Sequence, residues 1–302
     1  MAVITTGNHP KALWPGIKAW FGRSYDKHEL EYVDGFDIDS SEKAYEESVL
    51  VSGFGLAPIK PEGGSVSYDS ESQGYVARHT MVAYALGYIV TYEELRDNLY
   101  EEVSKRRSEA LAFSLRTTRE TVGANVYNRA TTAGFTGGDG VVLLSASHPT
   151  QAGNQSNILT TASDLNETAL EDMITQVMGT KNDKGLQIKI MCRCLLVPRQ
   201  EWWNANRILK SVLQNHTANN AVNVLRATKA LPDGIKVNHY FSDADAWFLR
   251  TNAPRGMIHY EREIGEFDQD NDFDTKNAKA KKYERYSFGW DDWRGMAGSP
   301  GA

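Results

Sequence analysis

Between Thr91 and Ala130 the sequence carries one apolar stripe at helical spacing, and it is too long to fit inside a compact chain of this size. Leu95, Leu99 and Val103 step by four, and Leu111, Leu115, Val122, Val126 and Ala130 continue the stripe past Arg107 and Arg119. Thr91 ahead of Glu93 and Glu94 gives the acidic first turn that suits a helix N-terminus. Gly134 and the cluster Gly137-Gly138-Asp139-Gly140 stop it. Roughly 39 residues at about 1.5 Å each make a rod of about 58 Å. A folded chain of 302 residues has a diameter of roughly 50 Å. The spacing therefore predicts a flat, elongated subunit with a helix over 91–130.

The segments before this helix also lack an evident home. Residues 1–46 mix Gly, Pro and aromatics (Trp14, Pro15, Gly16, Trp20, Phe21) with charges and hold no period, so they read as an arm lying across another surface. Residues 47–90 read as a long β-hairpin. Val49 and Val51 lead into a Gly/Pro/Ser-rich stretch from Gly53 to Gly74, and Val76, Thr80, Val82, Tyr84, Leu86, Tyr88 and Val90 return along one face. A lone hairpin is marginal in water and needs a partner surface.

After the helix the pattern is mixed. A strand is expected over Val141–Leu144, then a polar loop through His148, and a helix near Leu165 capped by Asp164. Ile188, Ile190, Cys192, Cys194 and Leu196 alternate as a strand, and residues 200–212 read as a helix carrying Trp202 and Trp203. Strands follow at 235–241, 246–250, 257–262 and 283–290. The order is α+β without βαβ regularity.

Composition and motifs argue against chemistry. A net charge of −6 does not suit a dedicated nucleic-acid binder. No signal peptide and no run of about 20 apolar residues is evident. Cys192 and Cys194, two apart on one expected strand face, read as reduced thiols, because a bridge between them would be strained. Gly53-Phe54-Gly55-Leu56-Ala57-Pro58 resembles the start of a dinucleotide loop, yet Pro58 replaces the third glycine. Asp268, Asp270, Asp272 and Asp274 alternate like a calcium loop. Phe273 and Lys279 occupy the positions that need Gly and Glu, so a solvated acidic loop is expected. Lys105, Arg106 and Arg107 read as a solvated helix face or as a DNA contact. His148 with Asp139 or Asp164 is the one arrangement a hydrolase could use, and no activated nucleophile stands near it. We therefore expect no enzyme, no cofactor and no catalytic or metal-binding residue.

Three stretches resemble the major capsid proteins of tailed bacteriophages with the Hong Kong 97-like fold. They are Tyr84 through Gly87-Tyr88-Ile89-Val90-Thr91 into Glu93-Glu94-Leu95 and Leu99-Tyr100, then Gly138 to Val141 through Ser147-His148-Pro149, and Arg285-Tyr286-Ser287-Phe288-Gly289-Trp290 with its Gly-rich tail. The resemblance implies an N-terminal arm (1–46), an extended loop (47–90) and a peripheral domain (91–163) with spine helix 91–130. It further implies an axial domain (164–250) and a return through C-terminal strands (251–302). It implies hexamers and pentamers of an icosahedral shell enclosing double-stranded DNA, without sequence specificity and without a membrane. Scaffolding, portal and possibly decoration proteins would be partners, with scaffolding supplied separately because the chain starts at the arm. Synthesis would be in the host cytoplasm and residence in the virion. An encapsulin-like nanocompartment shell shares this fold. Some members cross-link a lysine to an asparagine, but nothing around Lys60 marks such a site.

Overall fold

The computed structural model describes residues 14–97, 100–214, 221–265, 267–275 and 277–302. Its elements are α1 (Trp14–Lys27), α2 (Tyr32–Gly35), β1 (Asp37–Ser40), β2 (Tyr45–Val51), β3 (Gln73–Thr80) and β4 (Val82–Val90). Then come α3 (Tyr92–Asp97), α4 (Tyr100–Asn128), α5 (Glu167–Met178), β5 (Cys192–Pro198), α6 (Trp202–Lys210) and α7 (Val224–Ala227). The chain ends with β6 (Gly234–Asn238), β7 (Trp247–Thr251), β8 (Met257–Glu263), β9 (Phe267–Asn271), β10 (Ala278–Trp290) and β11 (Met296–Ser299).

The first sheet is built around β10. β4 runs antiparallel along one edge, while β8 and β9 share the other, and β1 adds in parallel to β8. The alternation seen in the sequence becomes register here. Val82, Tyr84, Leu86, Tyr88 and Val90 lie opposite Tyr286, Glu284, Lys282, Ala280 and Ala278. Ala280 and Tyr88 then pack with Phe21 and Tyr25 of α1 and with Leu111, Ala112 and Leu115 of α4. The second sheet has the order β11-β7-β5-β6. Leu170, Met173 and Val177 of α5 and Ala205 and Ile208 of α6 close one of its faces. A third cluster joins the two units through Tyr127, Phe36, Phe248, Leu196 and Met257.

Several expectations need correction. The hairpin is β2 with β3 and ends at Thr80. Met81 turns into a small cluster with Ile258 and Tyr260, and β4 belongs to the first sheet. The arm is not irregular throughout, since α1, α2 and β1 lie within it. The 91–130 helix is two helices. Glu94 and Arg107 would stand about 20 Å apart on one straight helix, yet their side chains bond at 2.6 and 3.2 Å, so α3 folds against α4. Leu99 lies outside the described residues. Over 141–144 there is one bridge, Thr136 to Val142, in place of a strand. Asn166, not Asp164, caps α5 by accepting the Ala169 N–H at 2.8 Å.

Candidate assembly surface

Between β2 and β3 the chain extends from Gly53 to Ser72 with no regular element. This tip was expected to be polar. It instead exposes Ile59 (96 %), Tyr68 (92 %) and Leu56 (83 %), with Phe54 and Val66 also uncovered. Apolar side chains fully in water are a cost the fold keeps only where another surface covers them. Their signal in the sequence was aliphatic residues inside a Gly/Pro-rich loop with no period.

The root of the hairpin is fixed firmly by polar contacts. Asp69 Oδ2 accepts the Gly55 N–H at 2.7 Å, and Ser52 and Ser72 bond across the neck. Lys184 donates to the Ser70 carbonyl at 2.9 Å, and Gln151 donates to Ser72. Deeper, His79 of β3 is buried against Asp291 at 2.6 Å, and Arg255 donates to the same carboxylate at 3.0 Å. Burial disfavours the ionised form of Asp291, but the bonds from His79 and Arg255 outweigh it and hold the carboxyl below its usual range. The root is therefore braced while the apolar tip projects.

Behind the tip, α1 is held by a buried ionic network. Tyr25 donates to Glu284 at 2.6 Å, and Glu284 also receives Arg119 at 3.1 Å and Lys282 at 3.2 Å. Arg119 reaches Glu261 at 2.6 Å. Each buried charge has an opposite partner, which is what burial demands. Glu120, on the next position of α4, accepts the N–H groups of Glu31 and Tyr32 at 3.0 and 2.9 Å and so ties α2 to the helix.

The motifs singled out in the sequence prove structural. His148 and Asp139 do meet, at 2.6 Å, but His148 has no exposed surface. Its other nitrogen bonds Asn157 at 3.1 Å and its ring stacks on Trp293 at 4.4 Å, which leaves no room for a substrate. Asp164 instead accepts the backbone N–H of Ala302. Asp268 and Asp270 are not loop residues. They lie on β9 opposite Lys281 and Lys279, so the alternation is a charged strand face, and Asp272 bonds Lys279 at 2.7 Å. Gly53 to Pro58 sits in the hairpin tip with no helix following. Lys105 and Arg106 are exposed on α4. Cys192 and Cys194 are free, and a bulge between them sends them to opposite faces of β5, into separate cores. Burial pushes the Cys192 thiol up to about 12 and the Cys194 thiol up to about 11, far from reactive thiolates.

Solved structures share this arrangement. One from Microbacterium phage Oxtober96 aligns over 99 % of both chains with a TM-score of 0.54 and 9 % identity. The capsid of a native GTA particle aligns over 89 % of this chain and 88 % of its own, with a TM-score of 0.55 and 10 % identity. A virus-like particle from Pyrococcus furiosus aligns over 95 % and 98 %, with a TM-score of 0.51 and 10 % identity. No curated protein matches the chain. At such identities the likeness is one of fold, and the fold is the Hong Kong 97-like capsid fold. A profile of the phage capsid protein family matches residues 75–299, and the chain belongs to that family. It is a structural subunit of a viral shell made of copies of itself.

Proposed function

We propose that this chain is the major head subunit of a tailed bacteriophage, closing as hexamers and pentamers into an icosahedral shell around double-stranded DNA. The observation that carries this reading is the braced hairpin whose apolar tip, Leu56, Ile59 and Tyr68 above all, is left uncovered by its own chain. Many copies of a weak contact suffice, because closure of the shell multiplies them through effective concentration. In this reading residues 45–80 form the extended loop and α4 is the spine helix. The first sheet belongs to the peripheral domain and the second sheet with α5–α7 to the axial domain. Scaffolding, portal and decoration proteins are further partners, and the exposed Lys105 and Arg106 offer phosphate contacts. The subunit is made in the host cytoplasm and has no catalytic role. A nanocompartment shell shares the fold, but the phage capsid family match favours the virion.

Electron microscopy of the purified protein across a concentration series tests this. Closed particles several hundred ångströms wide, or sheets of capsomers, are expected. A single small oligomer at every concentration would overturn it.

A further inference from the structure

The second sheet and its helices carry opposite charge at opposite edges. α5 lies over the β11 edge, while α6 lies over β5 and β6, with α7 beside it. Residues 164–178 hold Asp164, Glu167, Glu171 and Asp172 and no lysine or arginine. Residues 199–229 hold Arg199, Arg207, Lys210, Arg226 and Lys229 against Glu201 alone. This concentration of positive charge sits in a chain whose net charge is −6.

These groups are not neutralised within the subunit. Among the described residues, none of the four carboxylates of 164–178 pairs with a cation, and Arg199, Lys210, Arg226 and Lys229 pair with no carboxylate. Ion pairs of the same unit engage other groups, such as Arg193 with Asp233 and Lys236 with Asp34. Asp172, Arg226 and Lys229 are exposed, and Glu171 is half-buried. Each edge also offers an uncovered apolar side chain. Trp203 is 70 % exposed over the groove it forms with Asn206, Arg207 and Lys210, and Met178 ends α5 at 46 % exposure.

We propose that a second copy of this chain docks here head to tail, the α6–α7 edge of one subunit against the α5 edge of the next. A face-to-face pairing of identical patches would set cations against cations. A head-to-tail contact sets them against carboxylates, leaves both edges of every copy satisfied and repeats indefinitely, forming a ring where the rotation closes. Trp203 and Met178 supply the desolvated centre and the charges steer and fix register at the rim. The inference rests on the shell reading, since rings of copies are what hexamers and pentamers require.

The test uses full-length protein in three charge variants, read by electron microscopy and sedimentation. Glu171→Lys with Asp172→Lys should lower particle yield by on the order of tenfold or more, because like charges then face across the contact. Lys210→Glu with Arg226→Glu should do the same. Carrying all four changes together inverts both edges and should restore assembly, while thermal melting stays that of the parent in every case. Trp203→Ala should also lower the yield without any change of charge. Normal assembly of either two-residue variant, or failure of the four-residue variant to improve on them, would overturn the contact while leaving the shell reading intact. Absence of particles from the unaltered chain would count against the shell reading instead.

Discussion

At His148 the hydrogen-bond pattern fixes where protons sit. The Asn157 amide donates to the carbonyls of Leu143 and Met296 at 2.7 and 3.0 Å, so its Oδ1 must accept. His148 Nε2 therefore carries a hydrogen, and the 2.6 Å contact of Nδ1 with Asp139 holds the pair's other shared proton. This geometry staples the 137–157 loop onto Trp293 and cannot serve turnover. His148→Ala strands Asp139 and Asn157 without their partner and removes the stacked ring, which should cost about 3–5 kcal/mol in urea unfolding. A loss under about 1 kcal/mol would show that the ring carries little of the fold. Glu120 makes a pH prediction. Burial pushes it up to about 7 from an ordinary 4.5, against the pull of its two N–H donors. An acid raised in the folded state takes up its proton there first. Its contribution to stability therefore grows as pH falls from about 7 to about 4.5 and is lost as pH rises back through 7. Unfolding of the parent against Glu120→Gln across this window should differ by about 1 kcal/mol in slope, after discounting for solvent screening. Identical slopes would mean that Glu120 is not the group responsible.

Among the elements, what a strand's period can reveal and what it cannot are separable. The alternation through Val76, Val82, Tyr84 and Leu86 correctly marks strands and their inward faces. It is blind to the change of partner at Met81, because leaving one sheet for another does not alter a period of two. The same blindness explains β5, where one bulged residue reverses the face of Cys194 relative to Cys192. The acidic run misled for another reason. Alternating aspartates suit a cation loop and a solvent-facing strand equally, and only Lys279 and Lys281 across the ladder decide. α1 was hidden because Gly16 and the flanking charges dilute the Phe21 and Tyr25 spacing that packs it on α4. The assembly surface was half legible: the projecting hairpin could be read, but its apolar tip could not, because exposure is a property of the whole fold. Deleting Pro58 to Ser72 should leave both sheets folded, since no core cluster includes those residues, and should abolish particles. Far-ultraviolet circular dichroism with electron microscopy checks this. Normal particles from the deletion would remove the hairpin from the list of inter-subunit elements.

For the molecule as a whole, the two units differ in what they need from neighbours. The second sheet closes its own core, with Trp247, Leu249, Leu195 and Leu170 all fully buried. Its backbone bonds should open only with the whole domain. The hairpin tip has no ladder between Gly53 and Ser72 and no apolar cover, so its amides have nothing to protect them in an isolated subunit. In a shell, burial of Leu56, Ile59 and Tyr68 against a neighbour would remove that freedom, at roughly 1.5–3 kcal/mol of favourable transfer for each side chain fully covered. Hydrogen exchange measured on subunits and on assembled particles should therefore diverge by region. Peptides over 53–72 should exchange within seconds in the subunit and slow by at least about tenfold in particles, while β5 and β7 stay protected in both. Equal exchange of the tip in the two states would mean that the neighbour never covers it, and that the exposed aliphatic residues serve something other than holding the shell together.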